Sequence, residues 1–478
     1  MVKIVSRKKE INELENIYNS GKSEFVVVYG RRRVGKTFLV RELFRDRMAF
    51  YHTALSPIEF KDAQLTDFQI ATFCGTLKEY GVDFDDTPKD WQGAFSLLKQ
   101  YIKSLPNDKR QVVFIDEMPW LDTKGSGFIT AFEHFWNSFG DGCHNLMLIV
   151  CGSATTWISD KLINNYGGLY NRITRQIYLE PFSLNECEQY YQNMGVQMSR
   201  YDQVQCYMAI GGIPYYMSYV PKGRSVSHIL NELFFNKKAR LSNEFDRLCA
   251  SQFVYKEQYR AILKLLSQKR KGYTRREIAT LCKLPYGGTL SEMIKALEVS
   301  DFIMSYTYFG GSKRDVYYKL TDLFTLFWMN FMTGTVKTDF WTAKENAQTI
   351  KSWQGFAFEE VCFNHRMQIA KALGINGVSL DFSTWRESAD NETRGGQVDM
   401  VIDRSDNIID LCEMKFYNSE FLIDKDTDDA LRRKCQSFIP HTKTKRTVHQ
   451  VLVTTYGLLR NEYSTRFDNV VTMDDLFG

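Results

Sequence analysis

Short apolar runs that end on glycine or an acid alternate with helical spacings along the first third of the chain. "EINELENIY" from Glu10 has helical spacing, "EFVVVYG" reads as a short buried strand, and "KTFLVRELF" as a helix. "MAFYHTAL" is a second strand candidate, followed by a polar, mostly helical stretch to about Ser104. "QVVFIDEMPW" is a third strand ending at the acidic pair Asp116-Glu117, "FITAFEHFWNSF" is helical, and "NLMLIVCGSA" is a fourth strand. Apolar strands alternating with helices predict a parallel sheet covered on both faces. "GGLYNRITRQIYLEPFSLNECEQYY" adds a last strand and a turn, and helices continue to about Asp246.

The pattern then changes twice. "KEQYRAILKLLSQ", "TRREIATLC" and "GTLSEMIKALEVSDFI" are three short helix patterns, and "IMSYTYFGGSKRDVYYKLTD" reads as two strands around a tip. Three helices followed by a hairpin is the organisation of a winged helix-turn-helix. "LFTLFWMNFM" is an aromatic stripe at helical spacing, which reads as core or inter-domain packing. From Trp353 a helix begins "WQGFAFEEVCFNHRMQIAKAL", and strand candidates follow at "GQVDMVID", "IIDLCEMKF" and "HQVLVTT" with helices between. This is a second α/β domain. The chain contains no internal repeat and no low-complexity tract.

A length of 478 residues predicts roughly three domains. The N-terminus reads as neither signal peptide nor anchor, and runs such as "LMLIVC" fall far short of the roughly 20 apolar residues of a membrane span. The expectation is a soluble, cytoplasmic protein with no membrane partner. Ten cysteines without a C-x-x-C pair read as free thiols, and His52 and His134 read as structural or surface histidines. Net charge is only +4, yet Lys256–Thr325 holds 13 Lys and Arg against 7 Asp and Glu. That basic island is either a polyanion-binding surface or a solvated charged face.

Gly30-Arg31-Arg32-Arg33-Val34-Gly35-Lys36-Thr37 fits G-x-x-x-x-G-K-[ST] between a strand and a helix. Backbone N–H groups of such a loop wrap phosphates, with the helix N-terminus adding its dipole. Lys36 would reach the β- and γ-phosphates and Thr37 would ligate Mg²⁺. Asp116 would hold the metal's water shell, and Glu117 would orient or deprotonate the attacking water. Ser153 is placed either to sense the γ-phosphate or as a plain turn serine. Arg31, Arg32 and Arg33 occupy permissive positions that face the nucleotide, a neighbouring subunit or another domain, and Arg33 is a nucleotide-contact candidate.

The arginine-rich P-loop, the acidic strand before Met118-Pro119, the "GSA" strand end, "NRITRQIYLEPFS" and "GGIPYYM" together resemble the prokaryotic archaeal-type AAA ATPases. The resemblance covers nearly the whole chain. It implies a P-loop ATPase core over 1–180, a helical lid over 181–250, a winged helix-turn-helix over 251–335 and a restriction-endonuclease-like α/β domain over 336–478. It also implies that Pro214 sits near the adenine and that Arg172 or Arg175 contacts phosphate, in cis or from a neighbour in a homo-oligomer. In the winged helix, "GTLSEMIKALE" would be the recognition helix for double-stranded DNA. Arg275, Arg276, Lys295, Lys313 and Arg314 are the DNA-contact candidates.

"GQVDMVID" and "LCEMKF" put Asp399, Glu413 and Lys415 on two strands, with Glu413 and Lys415 on one face. Polar groups in apolar strands need a reason, because a buried unpaired charge is expensive. Asp399 and Glu413 would hold Mg²⁺ while Lys415 activates water or stabilises phosphate charge. This resembles the PD-(D/E)xK nuclease core, in which a preceding helix supplies a glutamate, here Glu359 with Glu360 beside it. Val398 departs from the family's proline. The expectation is therefore an ATP-binding and ATP-hydrolysing protein that engages DNA, with Mg²⁺-dependent cleavage by its C-terminal domain. The competing expectation is a nucleotide-switched signalling or scaffold ATPase whose nuclease-like domain is inactive and binds a partner.

Overall fold

The computed structural model describes residues 4–57, 62–164, 167–253, 256–312, 314–334, 338–344, 347–387 and 396–478. They divide into two compact units, Met1–Pro181 with Leu248–Val254, and Phe182–Arg247 with Tyr255–Gly478. Among the described residues, no helix is long and apolar enough to cross a membrane.

In the first unit, β1 (Glu24–Tyr29), β2 (Met48–Thr53), β3 (Gln111–Asp116), β4 (Leu146–Gly152) and β5 (Arg175–Tyr178) form a parallel sheet in the order β2-β3-β4-β1-β5. Every residue of β3 and β4 is buried, which is why their sequences run apolar without alternation. One face carries an aromatic core in which Phe25 meets Phe132 and Trp136 at ring distances of 5.5 and 5.1 Å. Each fully buried phenylalanine contributes about 1.5–3 kcal/mol. The parallel register brings the C-terminal ends of β1, β2, β3 and β4 to one edge, at Tyr29, Thr53, Asp116 and Gly152.

The second unit starts with helices Leu184–Met194 and Arg200–Ile210. Ser183 and Glu186 form a capping box at the first, satisfying N–H groups that the helix itself leaves open. The returning chain fixes Gly212: a Cβ there would lie 1.8 Å from the Phe182 carbonyl oxygen. Helices Lys256–Leu266, Arg275–Leu281 and Gly288–Val299 follow, with the small antiparallel sheet β6 (Tyr273–Thr274), β7 (Ile303–Tyr306) and β8 (Tyr317–Leu320) in the order β6-β8-β7. The aromatic stripe forms helix Leu323–Phe331, whose Leu323–Met329 are all buried.

The C-terminal sheet runs β13-β12-β11-β10-β9, from β9 (Leu380–Arg386), β10 (Gln397–Arg404), β11 (Ile408–Lys415), β12 (Thr447–Thr454) and β13 (Asn469–Thr472). Strands β9, β10 and β11 are antiparallel, and β12 and β13 join in parallel. The loop after β7 leans on this sheet. Tyr308 bridges Thr384, the Phe309 N–H donates to the Thr384 carbonyl at 2.8 Å, and Phe309 stacks on Phe438 at 5.3 Å.

The long helix expected from Trp353 to Leu373 is instead two, Gln348–Asn364 and Arg366–Ala372. His365 sits at the break. Its Nε2 accepts the Leu184 N–H at 2.9 Å and its Nδ1 faces the Val361 carbonyl at 2.8 Å, a pairing that requires the neutral ring protonated on Nδ1. Burial pulls its pKa down to about 4. The unfolded chain binds a proton near pH 6.5 and the folded chain does not, so stability is expected to fall as pH drops from about 6.5 towards 4. His365→Leu strands the buried Leu184 N–H, with an expected loss of about 1–3 kcal/mol at neutral pH and a flatter acid limb. Denaturant titrations at pH 7.5 and 5 check both, and an unchanged midpoint would remove this role.

Candidate functional site

The loop Gly30–Gly35 leaves β1 and enters helix Lys36–Leu43 at the edge where the parallel strands end. Gly30 has φ 138°, and a Cβ there would lie 2.5 Å from the Leu179 oxygen, so only glycine lets the two backbones pass. Arg33 at φ 74° and Gly35 at φ 95° are also left-handed, and such turns aim successive N–H groups into one concavity. Arg31 is buried at 1% exposure, so this loop position is less permissive than its sequence reads, and the Arg32 guanidinium lies 5.4 Å over Trp120.

Lys36 opens the helix, buried, with Nζ donating to the Gly30 and Arg31 carbonyls at 2.9 Å each. Burial pulls its pKa down, and Glu117, Cys151 and Asp116 push back. The Thr37 hydroxyl donates to Asp116, 3.0 and 2.9 Å from its two oxygens. Asp116 also accepts from the Thr53 hydroxyl at 3.0 Å and the Cys151 thiol at 2.6 Å. Burial and the two neighbouring carboxylates hold the Cys151 thiol well above its usual range, so it stays a donor. Thr53 and Cys151 were missed by sequence reasoning, although each sits at or next to the end of a strand flanking β3.

Glu117 has φ 48°, a left-handed conformation that costs of order 1 kcal/mol for a non-glycine. Its carboxylate accepts from Ser153, from the hydroxyl at 3.1 and 3.0 Å and from the N–H at 3.1 Å. Lys36, Thr37, Asp116, Glu117 and Ser153 thus converge at one sheet edge. The chemistry of the Thr37–Asp116 pair, a hydroxyl beside a buried carboxylate, fits a hard divalent cation.

Arg172 and Arg175 are engaged elsewhere within the unit. Arg175 is in register with Val26, three residues before Tyr29, which puts it about 10 Å down the strand from the loop. Arg172 is bound to Asp141 at 2.8 Å, and Arg175 faces Glu13 at 3.9 Å. Pro214 belongs to the second unit, where it opens the short helix Pro214–Met217.

In the second unit, Arg276, Lys295 and Arg314 are exposed, as are Thr289, Ser291 and Glu292 on helix Gly288–Val299. Arg275 is turned inward. It donates to the Gly287 carbonyl at 2.8 Å and stacks over Tyr286, holding the turn before that helix. Lys313 lies outside the described residues.

The C-terminal carboxylates are close but spoken for. Asp399 on β10 accepts the Met414 N–H at 3.0 Å. Glu413 on β11 pairs with Lys415 at 2.6 Å and with Lys434 at 2.5 Å. Glu359 pairs with Arg270, and Glu360 with Lys319 at 2.8 Å. Burial and the Asp399 charge push Glu359 up to about 8, while burial and Glu413 push Asp399 up to about 6. Burial works the same way on Glu413, but Lys434 and Lys415 outweigh it and hold its pKa low. Among the described residues, no group of three or more His, Cys, Asp or Glu is placed to hold a metal ion. The expected set of Glu359, Asp399 and Glu413 is therefore not assembled as metal ligands here, because cations already engage Glu359 and Glu413. Lys434 and Arg270 carried no sequence signal for this pairing, since each comes from a separate element.

Residues 4–220 match the model of a family described as an ATPase domain predominantly from Archaea. Over 408 residues, 83% of each chain, the protein is 22% identical to an uncharacterized protein of Methanocaldococcus jannaschii. It is 40% identical over 47 residues to an uncharacterized ATP-binding protein of the same organism, covering 10% of this chain and 80% of that one. Similar solved structures include a Walker-type ATPase of Pyrococcus abyssi, at 17% identity and TM-score 0.46, covering 69% of this chain and 96% of that one. The Aeropyrum pernix ORC2 protein is similar at 13% identity and TM-score 0.41, covering 69% and 93%.

Ser153→Ala removes the hydroxyl contact to Glu117 and leaves the N–H contact. Its steady-state phosphate release from ATP is expected to change by about tenfold or more, with Tm shifted by only a few degrees. Parental turnover would detach Ser153 from the chemistry.

Proposed function

Residues 4–220 form an ATPase domain of the archaeal type, and on that premise we propose that the protein binds and hydrolyses ATP at Gly30–Thr37 and uses the cycle to change how it engages double-stranded DNA. The observation that carries the reading is the direct contact of Thr37 with Asp116, with Glu117 next in line. Loop N–H groups and the helix N-terminus bind the phosphates, and Arg33 approaches them from the loop. Lys36 exchanges its two carbonyl partners for phosphate oxygens. Thr37 and Asp116 hold Mg²⁺, which neutralises phosphate charge when bound. Glu117 orients water and takes its proton, and Ser153 ties the position of Glu117 to the presence of the γ-phosphate. Arg172 or Arg175 acts in trans, on the nucleotide of a second copy.

For DNA, helix Gly288–Val299 is the recognition helix of a winged helix, offering Thr289, Ser291 and Lys295. Arg276, Lys313 and Arg314 contact the backbone. Asp399, Glu413, Lys415 and Glu359 would make up a PD-(D/E)xK-type site for Mg²⁺-dependent cleavage only once the metal displaces Lys434 from Glu413 and Arg270 from Glu359. The second reading, a partner-binding and inactive C-terminal domain, is favoured by one observation: both Glu413 oxygens are taken by lysines.

Lys36→Ala is expected to weaken ATP binding at least tenfold. Glu117→Gln is expected to keep binding and lose about 10²–10⁴ in turnover. Isothermal titration and phosphate release check these, and parental behaviour in both would sink the reading. DNA affinity is expected to fall with a log–log salt slope of about −3 or steeper, and Lys295→Ala with Arg276→Ala is expected to flatten it. A flat dependence in the parent would favour the scaffold reading. Mg²⁺- or Mn²⁺-dependent cutting of plasmid DNA that Lys415→Ala abolishes is the outcome expected of a catalytic C-terminal domain; no cutting would support the partner-binding reading.

A further inference from the structure

Within the first unit, Asp116 is held from three sides. Its Oδ1 accepts the Cys151 thiol of β4 at 2.6 Å and the Glu117 N–H at 3.0 Å. Its Oδ2 accepts the Thr53 hydroxyl of β2 at 3.0 Å, and the Thr37 hydroxyl straddles both oxygens at 3.0 and 2.9 Å. An ionised carboxylate offers about four acceptor positions, so these donors leave it little freedom to turn. The Thr53 proton is spent on Asp116, so the Tyr51 hydroxyl, 3.0 Å from the Thr53 oxygen, is the donor of that second bond. Tyr51 is itself fixed. Its ring stacks on Phe114 at 5.3 Å, and the Arg41 guanidinium lies 5.1 Å over it. A second layer therefore orients Asp116 from both flanking strands, with Tyr51 and Thr53 on one side and Cys151 on the other.

A carboxylate held this way does not treat all hard cations alike. Ca²⁺ accepts irregular oxygen shells and is readily chelated by both oxygens of one carboxylate. Mg²⁺ demands near-octahedral geometry, keeps several waters and needs only one oxygen or a hydrogen bond to one of its waters. Thr53 and Cys151 each take a position on a different Asp116 oxygen, which opposes chelation and keeps the carboxylate from rotating. Both donors are neutral, so their effect falls on geometry and is felt unequally by two cations of equal charge.

We propose that Thr53 and Cys151, with Tyr51 behind Thr53, are positioning residues that make the Thr37–Asp116 seat select Mg²⁺ over Ca²⁺. All three act through Asp116. This rests on the reading of Thr37 and Asp116 as the cation seat of a nucleotide site.

The test is titration calorimetry of the full chain with a non-hydrolysable ATP analogue, in Mg²⁺, in Ca²⁺ and in EDTA. The parent is expected to bind the analogue about tenfold tighter with Mg²⁺ than with Ca²⁺. Thr53→Val and Cys151→Ala are each expected to narrow that ratio by about threefold or more. Thr53→Ser and Cys151→Ser keep a donor and are expected to retain it. Tyr51→Phe keeps the ring on Phe114, loses only the hydroxyl and is expected to narrow the ratio in the same direction. It decides the matter if the valine and alanine variants do not fold. Affinities that fall equally with both cations, leaving the parental ratio, overturn the inference and leave the cation seat standing. A parent that binds equally well in Mg²⁺ and Ca²⁺, and better than in EDTA, does the same. Parental affinity that is no higher in either cation than in EDTA overturns the seat as well.

Discussion

Asp116 ends a strand buried on both faces, where an unpaired carboxylate would cost several kcal/mol, and the Glu117 N–H at 3.0 Å together with three side-chain donors offsets that penalty. The Thr37 hydroxyl comes from the helix after β1, the Thr53 hydroxyl from β2 and the Cys151 thiol from β4. A single acid thereby ties the phosphate loop to both strands flanking its own. The same charge that destabilises the site as a bare carboxylate fits it to a hard cation. Glu117 is delivered by the next residue, through a left-handed turn that aims its carboxylate at Ser153.

The contrast with the C-terminal carboxylates is instructive. Asp116 is satisfied by neutral donors, which a cation joins without an ionic competitor. Glu413 and Glu359 are satisfied by lysines and an arginine, which a cation must displace. Two clusters of similar composition therefore stand at different distances from metal chemistry.

The local signals were legible in the sequence. The spacing of Gly30, Gly35, Lys36 and Thr37, the apolar run ending on Asp116-Glu117, and the Glu413–Lys415 pair each lie within one element and follow from period and motif. What stayed hidden depends on long-range pairing. Thr53 and Cys151 reach Asp116 only because β2 and β4 flank β3. At the helix break, His365 accepts an N–H from Leu184, 181 residues away in the chain. Strands β9 and β13 are edge strands, β13 with only four residues, and their weak alternation gave no signal. Family resemblance carries residue type but not strand register, and register puts Arg175 about 10 Å down its strand from the loop.

The central claim is that the charge on Asp116 serves nucleotide chemistry and not only the packing of four strands. Asp116→Asn keeps the shape and acceptor oxygen while removing that charge. Single-turnover hydrolysis of ATP in Mg²⁺ by this variant measures the claim directly. ATP is expected still to bind and the hydrolytic step to slow by about 10²–10³, with folding retained. Hydrolysis at the parental rate by a folded Asp116→Asn chain would contradict it.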